Sequence, residues 1–103
     1  MVSGYILLTL RVYPEGKQWV SECLELGTTS CGDTIEEALA NVKDATLLYL
    51  QTVEANGTRE RILSEKGIRV RSGDPPELAE VHGRARSNEI LSPYVHKVAV
   101  GAA

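Results

Sequence analysis

Three sets of residues in this 103-residue chain have the chemistry to act on a ligand or a partner. The first is Cys31, which stands beside Gly32 just ahead of a helix start signal at Asp33-Thr34. A helix N-terminus lowers a thiol pKa and so favours the reactive thiolate. Nucleophilic catalysis also needs a base within hydrogen-bond reach. The two histidines, His82 and His96, lie far along the chain in no partner motif, so Cys31 and Cys23 are expected as reduced, inert thiols. A zinc site would have to gather its ligands from three separate segments. The second set is a pool of carboxylates: Glu22, Glu25, Asp33, Glu36, Glu37 and Asp44. Clustered carboxylates hold Mg²⁺ for phosphodiester chemistry. Here Asp33, Glu36 and Glu37 have a simpler duty at the positive end of a helix dipole, and Asp44 suits a solvated face. The third set is basic, Arg84, Arg86 and Lys97, and would serve contact with DNA phosphates. Gly27 and Gly32 lack the spacing of a nucleotide-binding loop. No catalytic residue, metal ligand or cofactor is expected.

The elements that would position these residues follow from periodicity. Tyr5 to Tyr13 reads as a first strand, with Ile6, Leu8, Leu10 and Val12 on one apolar face. The other face, Tyr5, Leu7, Thr9, Arg11 and Tyr13, is mixed and suits a sheet packed on one side only. Pro14-Glu15-Gly16-Lys17 is a turn, and Gln18 to Cys23 is expected to return as the second arm of a hairpin. Trp19, Ser21 and Cys23 share one face of it. Leu24-Glu25-Leu26-Gly27 turns the chain, and Thr28 to Cys31 forms a short third strand. Thr34 and Glu37 have the spacing of a capping box, in which each side chain serves the other's backbone N–H. From Ile35 the apolar period becomes helical through Ala38, Leu39, Val42, Ala45, Thr46, Tyr49 and Val53. Leu47, Leu48 and Leu50 widen that stripe, which predicts cover on more than one side near the far end. Asn56-Gly57 stops the helix. Thr58 is placed to cap a second, shorter helix through about Lys66, with Ile62 and Leu63 buried. Ile68 to Arg71 reads as a short strand. Residues 72–76 form a turn or linker, 77–86 show no period, and Tyr94 to Val100 reads as a final strand behind Pro93. Residues 1–71 and the 72–103 extension are expected to fold as one unit.

Composition narrows the function. Hydrophobic residues make up 43% and charged residues 24%, ordinary values for a globular domain. A net charge of −3 argues against broad electrostatic binding to nucleic acid. No apolar run approaches the roughly 20 residues that span a bilayer. Met1-Val2-Ser3-Gly4 has neither the basic region nor the long apolar region of a signal peptide, so a cytoplasmic location is expected.

Trp19-Val20-Ser21-Glu22-Cys23, Glu25-Leu26-Gly27, and Gly32-Asp33-Thr34 with Glu36-Glu37-Ala38 together resemble the HicB-like family of small antitoxin domains. Ala45, Leu48-Tyr49-Leu50, Arg61-Ile62-Leu63 and Lys66-Gly67-Ile68 extend the resemblance across about Tyr5 to Val70. The resemblance implies an α+β fold. Three or four antiparallel strands carry one long helix across them in the order β-β-β-α-(α)-β, a trimmed ribonuclease H topology. It also implies a non-enzymatic protein that covers the active site of a HicA-type mRNA-cleaving toxin, in a type II toxin–antitoxin pair. Trp19, Glu22, Glu25, Asp33 and Glu36 are the expected partner contacts, and a homodimer or higher oligomer the expected state. The alternative is an orphan HicB-like regulator that binds DNA as a dimer through Arg84, Arg86 and Lys97. Tyr5 to Tyr13 contains no carboxylate, so the first-strand acid of a working ribonuclease H is missing.

Overall fold

The computed structural model describes residues 2–75 and 88–100. In chain order the elements are β1 (Val2–Glu15), β2 (Gln18–Cys23), β3 (Thr29–Gly32), α1 (Ile35–Ala55), α2 (Arg59–Glu65), β4 (Arg71–Ser72) and β5 (Ile90–Val100). The protein is α+β, an antiparallel sheet with one long helix across it, as expected; counting the two-residue β4, the strands among the described residues number five.

β1 is the spine of the sheet. It pairs with β5 from Val2 to Val12, which fills one of its edges. β2 pairs with Leu10 to Glu15 and β4 with Gly4 and Tyr5, so these two share the opposite edge at its two ends. Between them Thr9 takes its partners from the turn after β2. Its N–H and its hydroxyl donate to the Glu25 carboxylate at 2.7 and 2.9 Å, and its carbonyl accepts from the Leu24 N–H at 2.9 Å. Both Thr9 backbone groups therefore point away from β5. Its β5 neighbour, Pro93, accordingly turns its nitrogen to the outer edge, where no ladder among the described residues requires the missing N–H. That geometry explains why the final strand begins at Ile90 and runs through Pro93 rather than starting behind it.

Alternation puts Ile6, Leu8, Leu10 and Val12 under α1, each 2% exposed or less. Register then places Ser92, Tyr94 and His96 of β5, and Ser21 and Cys23 of β2, on the same face. α1 lays Ala38, Val42, Thr46, Leu50 and Val53 against it, a spacing of three and four that keeps one helix stripe inward. Leu26 and Leu63 close the core.

The start of α1 is fitted closely to the β2–β3 end of the sheet. Gly32 has no room for a side chain: a Cβ there would lie 2.6 Å from the Ala38 nitrogen. The Ser21 hydroxyl donates to the Ala38 carbonyl at 2.8 Å, and Asn41 Nδ2 donates to the Cys31 carbonyl at 2.8 Å. Thr46, buried in mid-helix, shares a 2.7 Å hydroxyl–hydroxyl bond with Thr28. Burying such a group is tolerable because the bond is made.

Local chemistry departs from expectation in several places. Thr34 caps α1 by accepting from the Glu37 N–H at 3.0 Å, but the return bond from the Glu37 carboxylate is not made, so the capping box is half formed. Thr58 gives α2 no side-chain cap; its hydroxyl donates back to the Val53 carbonyl at 3.4 Å. The strand expected over Ile68 to Arg71 reduces to Arg71–Ser72. Leu50 is buried, yet Leu47 and Leu48 are 37% and 65% exposed, so among the described residues the far end of α1 is covered on one side only.

Candidate functional site

The five residues expected to meet a partner separate into two kinds. Glu22 and Glu25 are engaged within the fold. Glu22 forms an ion pair with Arg11 on the sheet face opposite to α1, where Arg11 also bonds Glu89 at 3.3 Å and lies 5.0 Å from the centre of the Tyr13 ring. Glu25 bridges β1 and the turn after β2 through Thr9. Trp19, Asp33 and Glu36 fall instead at the end of the sheet where α1 begins. Trp19 is half-buried and paired with Gly32, and Asp33 and Glu36, which follow Gly32 in the chain, are exposed. Asp33, Glu36 and Glu37 form no ion pair among the described residues. Arg84 and Arg86, and with them His82, lie outside the described residues. Lys97 is exposed on β5, on the face opposite to α1, because its β1 partner is Tyr5.

The two cysteines lie in different settings. Cys23 is fully buried, and burial chiefly, with the nearby Glu25 carboxylate, pushes its thiol up from the usual range. A thiol so placed is held protonated and unreactive. Cys31 is exposed, and its carbonyl, not its sulfur, carries the contact to Asn41. Among the described residues no cluster of three or more His, Cys, Asp or Glu side chains is positioned to hold a metal ion. Nor is any helix among them long and apolar enough to cross a membrane.

A second feature lies at the opposite end of α1 and was not anticipated. A cleft of about 410 Å³ opens between the last turns of α1, the start of α2 and β5. Ile6, Leu50 and Leu63 form its floor; Arg59 and His96 line it with Gln51 and Glu54. The Arg59 side chain is only 13% exposed and bonds Glu54 and Glu60, both at 2.9 Å. Glu60 is held below the usual carboxylate range, first by its own backbone N–H and then by Arg59. His96 is half-buried beside Tyr94, with ring centres 6.4 Å apart. Burial is the main cause that pushes its pKa down from 6.5, which keeps the ring neutral at pH 7. One signal of this site was present in the sequence: His96 interrupts the apolar face shared by Tyr94, Val98 and Val100.

Fold and surface thus define a helix-on-sheet α+β protein with a carboxylate-bearing end and a cleft-bearing end. Compared with known proteins, the chain matches no family model, no curated protein and no solved structure.

Proposed function

We propose that this protein is an antitoxin-type binding module of the HicB-like kind. It neutralises a HicA-type mRNA-cleaving toxin by covering the toxin's active site, as half of a type II toxin–antitoxin pair, and does no chemistry itself. The observation that carries the reading is the state of the carboxylates at the start of α1. Asp33, Glu36 and Glu37 are exposed on a closely packed strand-to-helix junction and have no cationic partner among the described residues. Negative charges fixed on a rigid element steer and orient a basic RNA-binding partner. The half-buried Trp19 beside them supplies the aromatic anchor that such interfaces favour. The element order, three strands, a long helix and a short helix, also supports the reading. The working state is a homodimer or higher oligomer in the cytoplasm.

The test is co-expression with the product of the neighbouring short reading frame, followed by pull-down and an RNA-cleavage assay. The expected result is a stable complex that blocks cleavage, with affinity falling at least tenfold in Asp33→Lys/Glu36→Lys and declining with added salt. A neighbouring ribonuclease that is neither bound nor inhibited overturns the proposal. Sedimentation that finds only the 11.2 kDa species at micromolar concentration rules out the oligomer.

A further inference from the structure

The sheet face opposite to α1 is apolar along its middle and carries opposite charges at its two ends. Register places Leu7 of β1, Leu91 and Val95 of β5 and Val20 of β2 there, and all are only half-buried. Tyr5 and Tyr13, also half-buried, mark the two ends. At the first, Lys97 of β5 and Arg71 of β4 flank Tyr5 from either side. Both are exposed, and neither forms an ion pair among the described residues. At the second, Glu22 and Glu89 bond Arg11 from either side, and exposed Glu15 adds a third carboxylate. Arg11 offsets only one of the three. Glu25 lies midway, its carboxylate bonded into the sheet by Thr9.

This pattern is complementary to itself. Consider two copies laid face to face about a two-fold axis that crosses the strands at Thr9. Tyr5 then lies over Tyr13 of the second copy, and each β5 stays above the other β5. Lys97 comes to face Glu89 of the second copy, Arg71 approaches its Glu22, and symmetry makes each contact twice. A two-fold axis along the strands would instead set Lys97 against Arg71, and like charges opposed across an interface are costly. A uniformly basic or acidic partner would match one end and be repelled at the other.

We infer that the sheet face opposite to α1 is the interface of a homodimer packed face to face and end for end. Leu7, Val20, Leu91 and Val95 form its centre, and Lys97–Glu89 and Arg71–Glu22 contacts join the copies at both ends. The two sheets lie about 10 Å apart, as in a sandwich, with the helices outside. The inference rests on the oligomeric state proposed above and gives it a surface; the acidic start of α1 stays clear for the toxin. Tyr5 to Tyr13 across four strands makes a flat face of about 500 Å². That is small for a specific interface, so a dissociation constant in the micromolar range is expected.

The test is sedimentation equilibrium of the full chain across the micromolar range. The expected result is a concentration-dependent species of twice the 11.2 kDa chain. Leu7→Glu, at the centre, is expected to leave only monomer, whereas Leu48→Glu, on the exposed side of α1, leaves association unchanged. Lys97→Glu and Glu89→Lys are each expected to weaken association at least tenfold, and the double variant, which restores the pair in reverse, to recover most of it. A matching far-ultraviolet spectrum and thermal transition establish that each variant is folded. The inference is overturned if the chain is monomeric throughout, if Leu7→Glu associates undiminished, or if the double variant recovers nothing. A dimer that survives Leu7→Glu overturns this interface alone, while the pull-down with the neighbouring ribonuclease decides the antitoxin reading separately.

Discussion

The two ends of α1 are held in different ways. At its start the helix lies on β2 and β3 with no space for a Cβ at Gly32, and Ser21, Asn41 and Thr28 tie it to its neighbours by hydrogen bonds. At its far end the helix passes over β5 and α2 with a cleft beneath it, Leu47 and Leu48 exposed above, and charged side chains at the rim. One end is closed by polar clips and close contact, while the other is apolar below and open. Rigid polar junctions suit the presentation of a fixed surface. The helix is therefore clipped by side-chain hydrogen bonds at its start and held by the apolar packing of Leu50 and Val53 at its far end.

The sharpest way to break this contrast is at the closed end. Gly32→Ala forces a side chain into the Ala38 backbone, and backbone cannot rotate aside. The expected loss is about 3 kcal/mol, the upper part of the usual range for overpacking, measured by urea unfolding. A loss below about 0.5 kcal/mol, the size of a neutral surface change, would mean that the helix start yields to admit the side chain. Next in size is Glu25→Ala, which removes both bonds to Thr9 at the middle of the sheet. A loss of about 2 kcal/mol is expected, as for hydrogen bonds to a charged group, with Glu25→Gln retaining part of it. Thr34→Ala deletes the formed half of the cap and is expected to cost about 1 kcal/mol, readable as lower helicity and a lower melting temperature.

The smallest effect belongs to the open end and to pH. The folded pKa of His96 is depressed, mainly by burial, with Glu54 opposing and Arg59 reinforcing the shift. The unfolded chain therefore takes up its proton first as pH falls below about 6.5. The stability that rests on a neutral His96 is complete above that value and is lost as pH drops toward the folded pKa. His96→Gln is expected to flatten the stability curve between pH 7.5 and 5.5, as followed by thermal unfolding at each pH. An unchanged slope would show that the ring is as well solvated as a surface histidine.

Much of the closed end could be read along the chain. Ile6, Leu8, Leu10 and Val12 alternate without interruption, and Ala38, Val42, Thr46 and Val53 keep helical spacing, so the two faces that meet were visible as periods. The bond from Glu25 to Thr9 was not, because it joins residues 16 apart through a turn whose own sequence says only that the chain reverses. Glu25 looked like one of several surface acids, and its role depends on the gap between β2 and β4. Pro93 read as a strand boundary for a sound local reason, the missing N–H. Only the register with Thr9 reveals that this position needs no donor toward β1. The cleft was hidden for a related cause: His96, Arg59 and Leu63 converge through the pairing of β5 and the placement of α2, and no local pattern encodes either.

Pro93 has a consequence for how copies of the chain can associate. With its ring on the outer side of β5, any strand laid along that edge meets an acceptor with no donor beside it. Two copies aligned on a two-fold axis through Pro93 would set each such carbonyl against the partner's proline nitrogen, so that register forfeits both hydrogen bonds. Association along β5 is left with the short stretch before the proline or the longer one after it. A proline so placed would break the continuous edge along which an open-ended stack could grow.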